Sequence, residues 1–132
     1  MRILITGGSG QLGRDLQGAL RGHDVQALSH SDLDVTDANA AVAAVDAFAP
    51  DVVIHTAALT DTTRCEREPE LALAVNAEGA RNVAEACARG DAAMVYVSTN
   101  EVFDGAQSKP YLESDPARPL NQYGASKLAG ER

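Results

Sequence analysis

The stretch MRILITGGSGQLG, Met1–Gly13, decides the fold of this chain. Residues 2–6 form a near-continuous apolar run of the kind that is buried inside a parallel sheet, so they predict a strand. Gly7–Gly10 interrupt that strand, and from Gln11 the apolar residues recur every four positions, which predicts a helix. A strand, a glycine turn and a helix N-terminus together present free backbone N–H groups, which favour a bound phosphate.

The glycine spacing indicates a dinucleotide. Gly7, Gly10 and Gly13 follow the pattern G-x-x-G-x-x-G, in which the first gap is one residue longer than in the G-x-G-x-x-G fingerprint. Gly7 suits the turn, Gly10 lets a pyrophosphate approach the backbone, and Gly13 lets the helix pack closely on the strand. The alternative interpretation is a plain turn between a strand and a helix that binds no ligand. The position of the glycines, directly after a strand and at the start of a helix, favours a dinucleotide site.

Length and composition indicate one globular domain over residues 1–132. The 19 acidic residues against 11 basic ones give a net charge of −8, which argues against a nucleic-acid partner. We expect a cytoplasmic protein without a membrane span, because no leader precedes the first strand and no apolar run approaches about 20 residues. Cys65 and Cys87 lack metal-ligand spacing, so we expect two reduced structural thiols and no metal site.

Strands and helices alternate along the chain, which predicts an α/β fold with a doubly wound parallel sheet of the NAD(P)-binding Rossmann type. After the first helix, the predicted elements are a strand over 25–28, a brief edge strand over 33–35, a helix that ends before Pro50, a strand over 51–56, a helical stretch over 69–89 and a strand over 93–97. Polar loops are expected over 60–70 and 98–122, and a last helix begins near Tyr123.

The end of the second strand bears on cofactor choice. An acid at this place binds the ribose hydroxyls of NAD, but here the corresponding residues are Ser29, His30 and Ser31. With no carboxylate to repel a 2′-phosphate, we expect NADPH to be tolerated, although no arginine is placed to bind that phosphate. The choice between NADPH and NADH therefore stays open, with a preference for NADPH or for use of both. Asp34 follows at a strand end that an adenine could reach; a helix-capping or solvated acid is the alternative.

Small residues follow the strand that ends at Thr56. Ala57 and Ala58 would let a ligand lie against the backbone at the carboxyl edge of the sheet, although tight packing explains them equally well. His55 lies within the apolar strand, and we expect a hydrogen-bonded core histidine there rather than a catalyst.

Tyr123 and Lys127 are four residues apart at the start of the last helix, so they project from one face. A neighbouring ammonium stabilises a phenolate and lowers its pKa, which suits general acid catalysis on a carbonyl. Ser98 and Thr99 end the last strand at the same edge as the glycine turn, where a hydroxyl could bind a substrate carbonyl oxygen. Three such features in this order favour a catalytic site over chance spacing.

The glycine turn, STNEVFDG (98–105), KPYLESD (109–115) and PLNQYGASKLAGE (119–131) are similar to known motifs. Through them the whole chain resembles the dTDP-4-dehydrorhamnose reductase family of extended short-chain dehydrogenase/reductases. The resemblance implies that Thr99 orients the substrate carbonyl, Tyr123 acts as general acid, and Lys127 holds the nicotinamide ribose. The cofactor-binding residues it implies are Gly7, Gly10, Gln11, Leu12, Gly13, Asp34, Val35, Ala57, Ala58, Tyr123 and Lys127.

The chain departs from the family in two respects. Asn100 and Glu101 stand where the family usually has an acid and an aromatic residue, and Thr63 stands where it tends to have an acid. These positions lie near the expected sugar site, so the sugar stays open. Family members are also about twice as long, and they place most of the nucleotide-sugar pocket in a C-terminal half. We therefore expect an N-terminal fragment that keeps the cofactor cleft and whose uncovered edge strand favours a homo-oligomer.

The resemblance implies an NAD(P)H-dependent reductase whose partners are a nicotinamide dinucleotide and, in the full-length protein, a nucleotide-linked 4-keto sugar. A non-catalytic NAD(P)-binding regulatory subunit on the same fold is one alternative. A nucleotide-sugar epimerase or dehydratase is another, because a fold alone does not determine the reaction.

Overall fold

The structure is a computed structural model that describes residues 1–132. The strands are β1 (Arg2–Thr6), β2 (Asp24–Leu28), β3 (Val52–His55) and β4 (Ala93–Tyr96). The α-helices are α1 (Gln11–Ala19), α2 (Ala38–Phe48), α3 (Thr62–Arg67), α4 (Pro69–Leu73), α5 (Gly79–Arg89) and α6 (Gln122–Glu131). A π-helical turn (Ala74–Glu78) joins α4 to α5, and a 3₁₀ turn (Asn100–Val102) follows β4.

All four strands are parallel and lie in the order β2-β1-β3-β4. The chain runs from β1 outward to β2 and then returns across the sheet to β3 on the other side of β1. In open sheets, ligands bind beyond the carboxyl ends of the strands at such a reversal. The predicted doubly wound α/β fold is therefore confirmed, and it places the glycine turn at the reversal point.

The main hydrophobic core lies between one face of the sheet and helices α2 and α5. It consists of nine buried residues, namely Leu4, Leu33, Val35, Ala41, Val45, Val53, Val83, Ala86 and Cys87. Each fully buried leucine or valine side chain among them contributes about 1.5 to 3 kcal/mol to stability because it is removed from water. Cys65 and Cys87 are both buried free thiols, as predicted. None of the helices combines the length and the apolar character needed to cross a bilayer.

On the other face of the sheet, α1 covers only the part near β1 and β2. Right-handed crossovers place α1 on this face and α2 and α5 on the opposite one. Along a row of paired residues on this face, the side chains become more exposed from β1 toward β4. Ile5 is 0% exposed, its partner Ile54 is partly buried, and Val95 beyond it is 50% exposed. Because β4 pairs with β3 alone, the predicted uncovered edge strand is confirmed, whereas self-association through it stays a prediction.

The predicted edge strand over 33–35 is wrong. The side-chain amide of Asn82 donates to the carbonyls of Val35 (2.9 Å) and Thr36 (3.2 Å). Since a side chain satisfies these carbonyls, the segment needs no partner strand, and Leu33 and Val35 enter the core instead. The next helix begins as predicted, because the Asp37 carboxylate caps α2.

The predicted polar loop over 60–70 is helical in its middle. The Asp61 carboxylate accepts the Arg64 N–H at 2.9 Å and thereby begins α3. An aspartate three residues before a run of good helix formers was the available signal. The helical stretch over 69–89 is confirmed, but its middle turn is a π-helix, a form often found at functional sites.

Replacing Gly13 by alanine tests the close contact between α1 and the glycine turn. A methyl group there would lie 2.4 Å from the Gly7 carbonyl oxygen, so the helix must move away from the sheet. We expect Gly13→Ala to lower the free energy of unfolding by at least about 2 kcal/mol, measured by urea denaturation. Gly18→Ala in the same helix has nothing within 4 Å and should raise it by about 0.5 to 1 kcal/mol. Equal responses of the two variants would contradict the close contact.

Candidate functional site

Two adjoining cavities at the carboxyl edge of the sheet form one cleft. Their volumes are about 370 and 450 Å³, and both are lined by Gly7, Gly10, Thr56 and Ala58. The first cavity extends toward the turn after β2, and the second extends toward α6. Both volumes lie in the range of small-molecule sites, and their arrangement suits an elongated ligand.

The glycine turn forms the floor of this cleft. Gly7 has a φ of +70°, and a methyl group on it would lie 2.8 Å from the backbone nitrogen of Ala57. The Gly10 N–H donates to the Gly7 carbonyl at 2.9 Å and closes the turn. The chain after β1 therefore lies directly against the chain after β3, with only backbone between them.

Helix α1 begins without a side-chain cap. Its N-cap is Gly10, and no acidic residue lies in its first turn. The helices α2, α3 and α6 instead begin with capping side chains, from Asp37, Asp61 and Asn121 respectively. The first N–H groups of α1, those of residues 11–13, have no intrahelical partner, and these residues line the second cavity. This helix start therefore suits an anionic group.

The first cavity contains Asp34 and Val35, two of the predicted site residues. One oxygen of Asp34 accepts the Thr36 N–H (2.9 Å) and the Thr36 hydroxyl (2.8 Å), and these bonds hold the pKa of Asp34 below its ordinary value. Asp34 is thus both a turn cap and part of the cleft wall, and its contact with an adenine stays a prediction. Lining residues that the sequence did not indicate include His30, Leu33, Arg64, Leu71 and Val75.

A carboxylate does lie at the end of β2, contrary to the prediction. Asp32 accepts the Ser29 N–H at 2.9 Å and the Ser29 hydroxyl at 2.5 Å. These hydrogen bonds lower the pKa of Asp32, so it is ionised at neutral pH. The prediction rested on residues 29–31, but the turn folds Asp32 back onto the strand end. Asp32 is therefore a negative charge close to the first cavity, whose lining includes the nearby residues His30 and Leu33.

The second cavity is lined by Tyr123 and Lys127 from α6. Asn76, a fully buried residue of the π-helical turn, ties this helix to the rest of the site. Its side-chain amide accepts the Leu59 N–H at 2.7 Å and donates to the Ser126 hydroxyl at 2.9 Å. The segment after β3 and the helix that carries Tyr123 and Lys127 are therefore held together by one buried amide.

Thr99 lies beside Tyr123, and its hydroxyl favours the ionised form of the phenol. Burial has the larger effect and raises the pKa of Tyr123 above its ordinary value. The Thr99 hydroxyl also accepts the Glu101 N–H at 3.2 Å, which begins the 3₁₀ turn. Its neighbour Ser98 lines the second cavity and donates to the carboxylate of Glu131.

The Lys127 ammonium contacts the end of β4. Its Nζ donates to the Val97 carbonyl at 2.7 Å and lies 4.0 Å from the centre of the Tyr96 ring. Burial lowers the pKa of Lys127 from 10.5 to about 8, and the carboxylate of Glu131 opposes this shift. The net effect on Tyr123 is a raised pKa, caused by burial, so the lowering of that pKa by Lys127 stays a prediction.

His55 is a core residue, as predicted, and it lies behind the cleft. It is 1% exposed, and its Nδ1 is 2.8 Å from the Thr6 hydroxyl oxygen, whereas its buried Nε2 has no partner. Burial, together with the nearby Lys127 charge, lowers its pKa from 6.5 to about 4. The neutral imidazole stacks on Tyr96 with ring centres 5.8 Å apart.

All eleven residues predicted to bind a cofactor line the cleft, and Thr99 lies next to it beside Tyr123. Their individual roles stay predictions. No group of three or more His, Cys, Asp or Glu side chains lies close enough together to hold a metal ion.

The model of one family, described as the RmlD substrate binding domain, matches residues 1–132. A dTDP-4-dehydrorhamnose reductase of Streptomyces griseus is 46% identical over 99% of this chain and 44% of its own length. The crystal structure of the Bacillus anthracis dTDP-4-dehydrorhamnose reductase with NADP superimposes with a TM-score of 0.96 at 42% identity, over 98% of this chain and 47% of that one. The Thermus thermophilus UDP-glucose 4-epimerase with NAD gives 0.87 at 29% identity, over 99% and 49%. The chain thus spans about half the length of these relatives.

The buried histidine makes stability depend on pH. The pKa of His55 is lower in the folded chain than in the unfolded one, so the unfolded chain binds more protons between pH 6.5 and 4. We expect stability to fall as the pH drops through this window, by up to about 3 kcal/mol from this group. Chemical denaturation of wild type and His55→Gln at several pH values gives the free energy of unfolding of each protein. The difference between the two pH dependences is the contribution of His55. Parallel stability curves for the two proteins would contradict it.

Proposed function

This chain belongs to the RmlD substrate binding domain family, and we propose that it forms the cofactor-binding part of a reductase of nucleotide-linked 4-keto sugars. One observation carries the proposal. A single cleft joins the uncapped start of α1 to Tyr123 and Lys127, which come from opposite ends of the sequence. The two dTDP-4-dehydrorhamnose reductases support it with 46% and 42% identity, against 29% for the epimerase.

The cleft fits a nicotinamide dinucleotide. The N–H groups of residues 11–13 would bind the pyrophosphate, because they have no intrahelical partner and lie at the positive end of a helix dipole. The adenosine half would occupy the first cavity beside Asp34, and the nicotinamide half would occupy the second cavity beside Tyr123 and Lys127. We propose NADPH as the cofactor with NADH also accommodated, a choice supported by the NADP-bound Bacillus relative and limited by the charge of Asp32.

A bound NADPH would supply a hydride to the C4 carbonyl carbon of the sugar. Thr99 would hold the carbonyl oxygen by a hydrogen bond, and Tyr123 would give its phenolic proton to that oxygen, so that the ketone becomes an alcohol. The raised pKa of Tyr123 keeps this proton in place until it is needed. Lys127, an ammonium at neutral pH, would bind the nicotinamide ribose and stabilise the resulting phenolate.

Glu101, in the motif next to Thr99, makes a structural contact in this chain. Glu101, which replaces the usual aromatic residue, accepts a hydrogen bond from the side-chain amide of Asn121, the cap of α6. This carboxylate therefore supports the helix that carries Tyr123. We propose dTDP-4-dehydrorhamnose as the substrate class on the strength of the relatives, with Glu101 as a structural replacement.

Removing the Tyr123 hydroxyl tests the proposed proton transfer. In the reductase that contains these residues at full length, we expect Tyr123→Phe to lower kcat by about 100-fold or more, because Tyr123 is the group proposed to transfer a proton to the carbonyl oxygen. NADPH affinity should change by less than about twofold. Tyr111→Phe is the matched control, since the Tyr111 hydroxyl binds Asp104 at 2.7 Å outside the cleft. Undiminished turnover of Tyr123→Phe would remove Tyr123 from this role.

Titration of NADPH and NADH into the 132-residue chain tests the cofactor proposal. Both should raise the melting temperature, because a ligand that binds only the folded chain stabilises it. Asp32→Asn removes the charge beside Ser29, so we expect the ratio of NADPH to NADH affinity to rise roughly three- to tenfold. An unchanged ratio would exclude Asp32 as a determinant, and no stabilisation by either nucleotide would contradict the proposed function itself.

A further inference from the structure

We propose that Tyr96 is a positioning residue for Lys127, holding the ammonium group and the backbone of that lysine at the same time. The inference rests on the proposed function, since it concerns how the lysine of that site is held. Tyr96 ends β4 and is half-buried, and none of the sequence motifs includes it. It acts through Lys127 and does not line the cleft itself.

The aromatic ring of Tyr96 lies under the ammonium. Lys127 is 2% exposed, and its Nζ lies 4.0 Å from the ring centre, well within the distance at which a ring face attracts a cation. The Val97 carbonyl, one residue further along the same strand end, accepts a hydrogen bond from Nζ at 2.7 Å. A cation removed from water thus has one full acceptor and one π face, both provided by the end of β4.

The hydroxyl of Tyr96 binds the backbone of the same lysine. Its single proton is shared between the carbonyl of Lys127 and the carbonyl of Asn76 in the π-helical turn, each with its oxygen 3.2 Å from the hydroxyl oxygen. Helix α6 lies so close to Tyr96 that a methyl group on Gly130 would be 2.5 Å from the Tyr96 hydroxyl oxygen. One side chain therefore sets both where α6 lies against β4 and where its lysine ammonium rests.

The charged and titratable groups around Lys127 come from β3, β4, α6 and α1. His55 on β3 is neutral, and Tyr96 on β4 is un-ionised because burial raises its pKa. On α6, Tyr123 is also un-ionised, and Glu131 is the carboxylate that favours the ammonium. Across the cleft, Asp15 of α1 lines the same cavity.

The proposed consequence is chemical. A buried ammonium tends to lose its proton, and the π face of Tyr96 opposes that loss by stabilising the cation. Lys127 then stays charged at neutral pH, next to the position where Tyr123 would develop negative charge. Without the ring, the lysine would lose its charge at lower pH and would sample other rotamers.

The test is the pKa of Lys127, measured in the 132-residue chain by NMR titration of its ε-carbon. We expect Tyr96→Leu to lower this pKa by about 0.5 to 1.5 units, because the ring is lost while the site stays apolar. Tyr96→Phe keeps the ring and should leave the pKa near its native value, even though loss of the hydroxyl lowers the melting temperature. Tyr111→Leu is the matched control, because Tyr111 stacks on Phe103 with no lysine above it and should leave the pKa unchanged.

In the full-length reductase, the alkaline limb of kcat/KM should shift to lower pH in Tyr96→Leu and stay in place in Tyr96→Phe. A native Lys127 pKa in folded Tyr96→Leu would overturn the inference while leaving the proposed function intact, which NADPH binding by the wild-type chain tests separately. Should Tyr96→Leu fail to fold, a trifluorinated phenylalanine at position 96 keeps the shape of phenylalanine and weakens the π face. The Lys127 pKa must then fall below that of Tyr96→Phe, and equal values would overturn the inference.

Discussion

The contact between the glycine turn and the chain after β3 is the constraint on which the remaining structure depends. Gly7 lies so close to Ala57 that no side chain fits between them, and α1 begins within contact distance of the same turn. This closeness keeps side chains away from the start of α1, so its first N–H groups are left to a ligand. The same compact turn lies at the carboxyl edge of the sheet, where residues after β1, β2, β3 and β4 and residues of α1 and α6 line the cleft.

The part of the cleft lined by Tyr123 and Lys127 depends on buried polar groups. Asn76 joins the segment after β3 to α6, and Tyr96 joins the end of β4 to the same helix. The π-helical turn makes the first link available, because it places the Asn76 side chain inside the protein and its carbonyl within reach of Tyr96. Burying Lys127 among these groups costs stability, as its lowered pKa shows. A charged residue held there at such a cost is typical of a functional site.

Features that depend on neighbouring residues could be predicted from the sequence. The apolar run over 2–6, the four-residue spacing after it and the cap at Asp37 are local patterns, and they led to the correct sheet. The predicted cofactor-binding residues, which all line the cleft, came from such patterns together with the family resemblance. One error concerns a contact between distant residues, and another concerns a short turn. Val35 is satisfied by Asn82, 47 positions away, so no strand forms there. Asp32 was missed because the turn after β2 reverses the chain within three residues.

The most direct test of this account is a crystal structure of the chain with NADPH. The account predicts a pyrophosphate on the N–H groups of residues 11–13 and a nicotinamide ribose within hydrogen-bond distance of the Lys127 Nζ, with the nicotinamide ring facing Tyr123. A dinucleotide bound with its nicotinamide directed away from Tyr123 and Lys127, or bound outside the cleft, would contradict it.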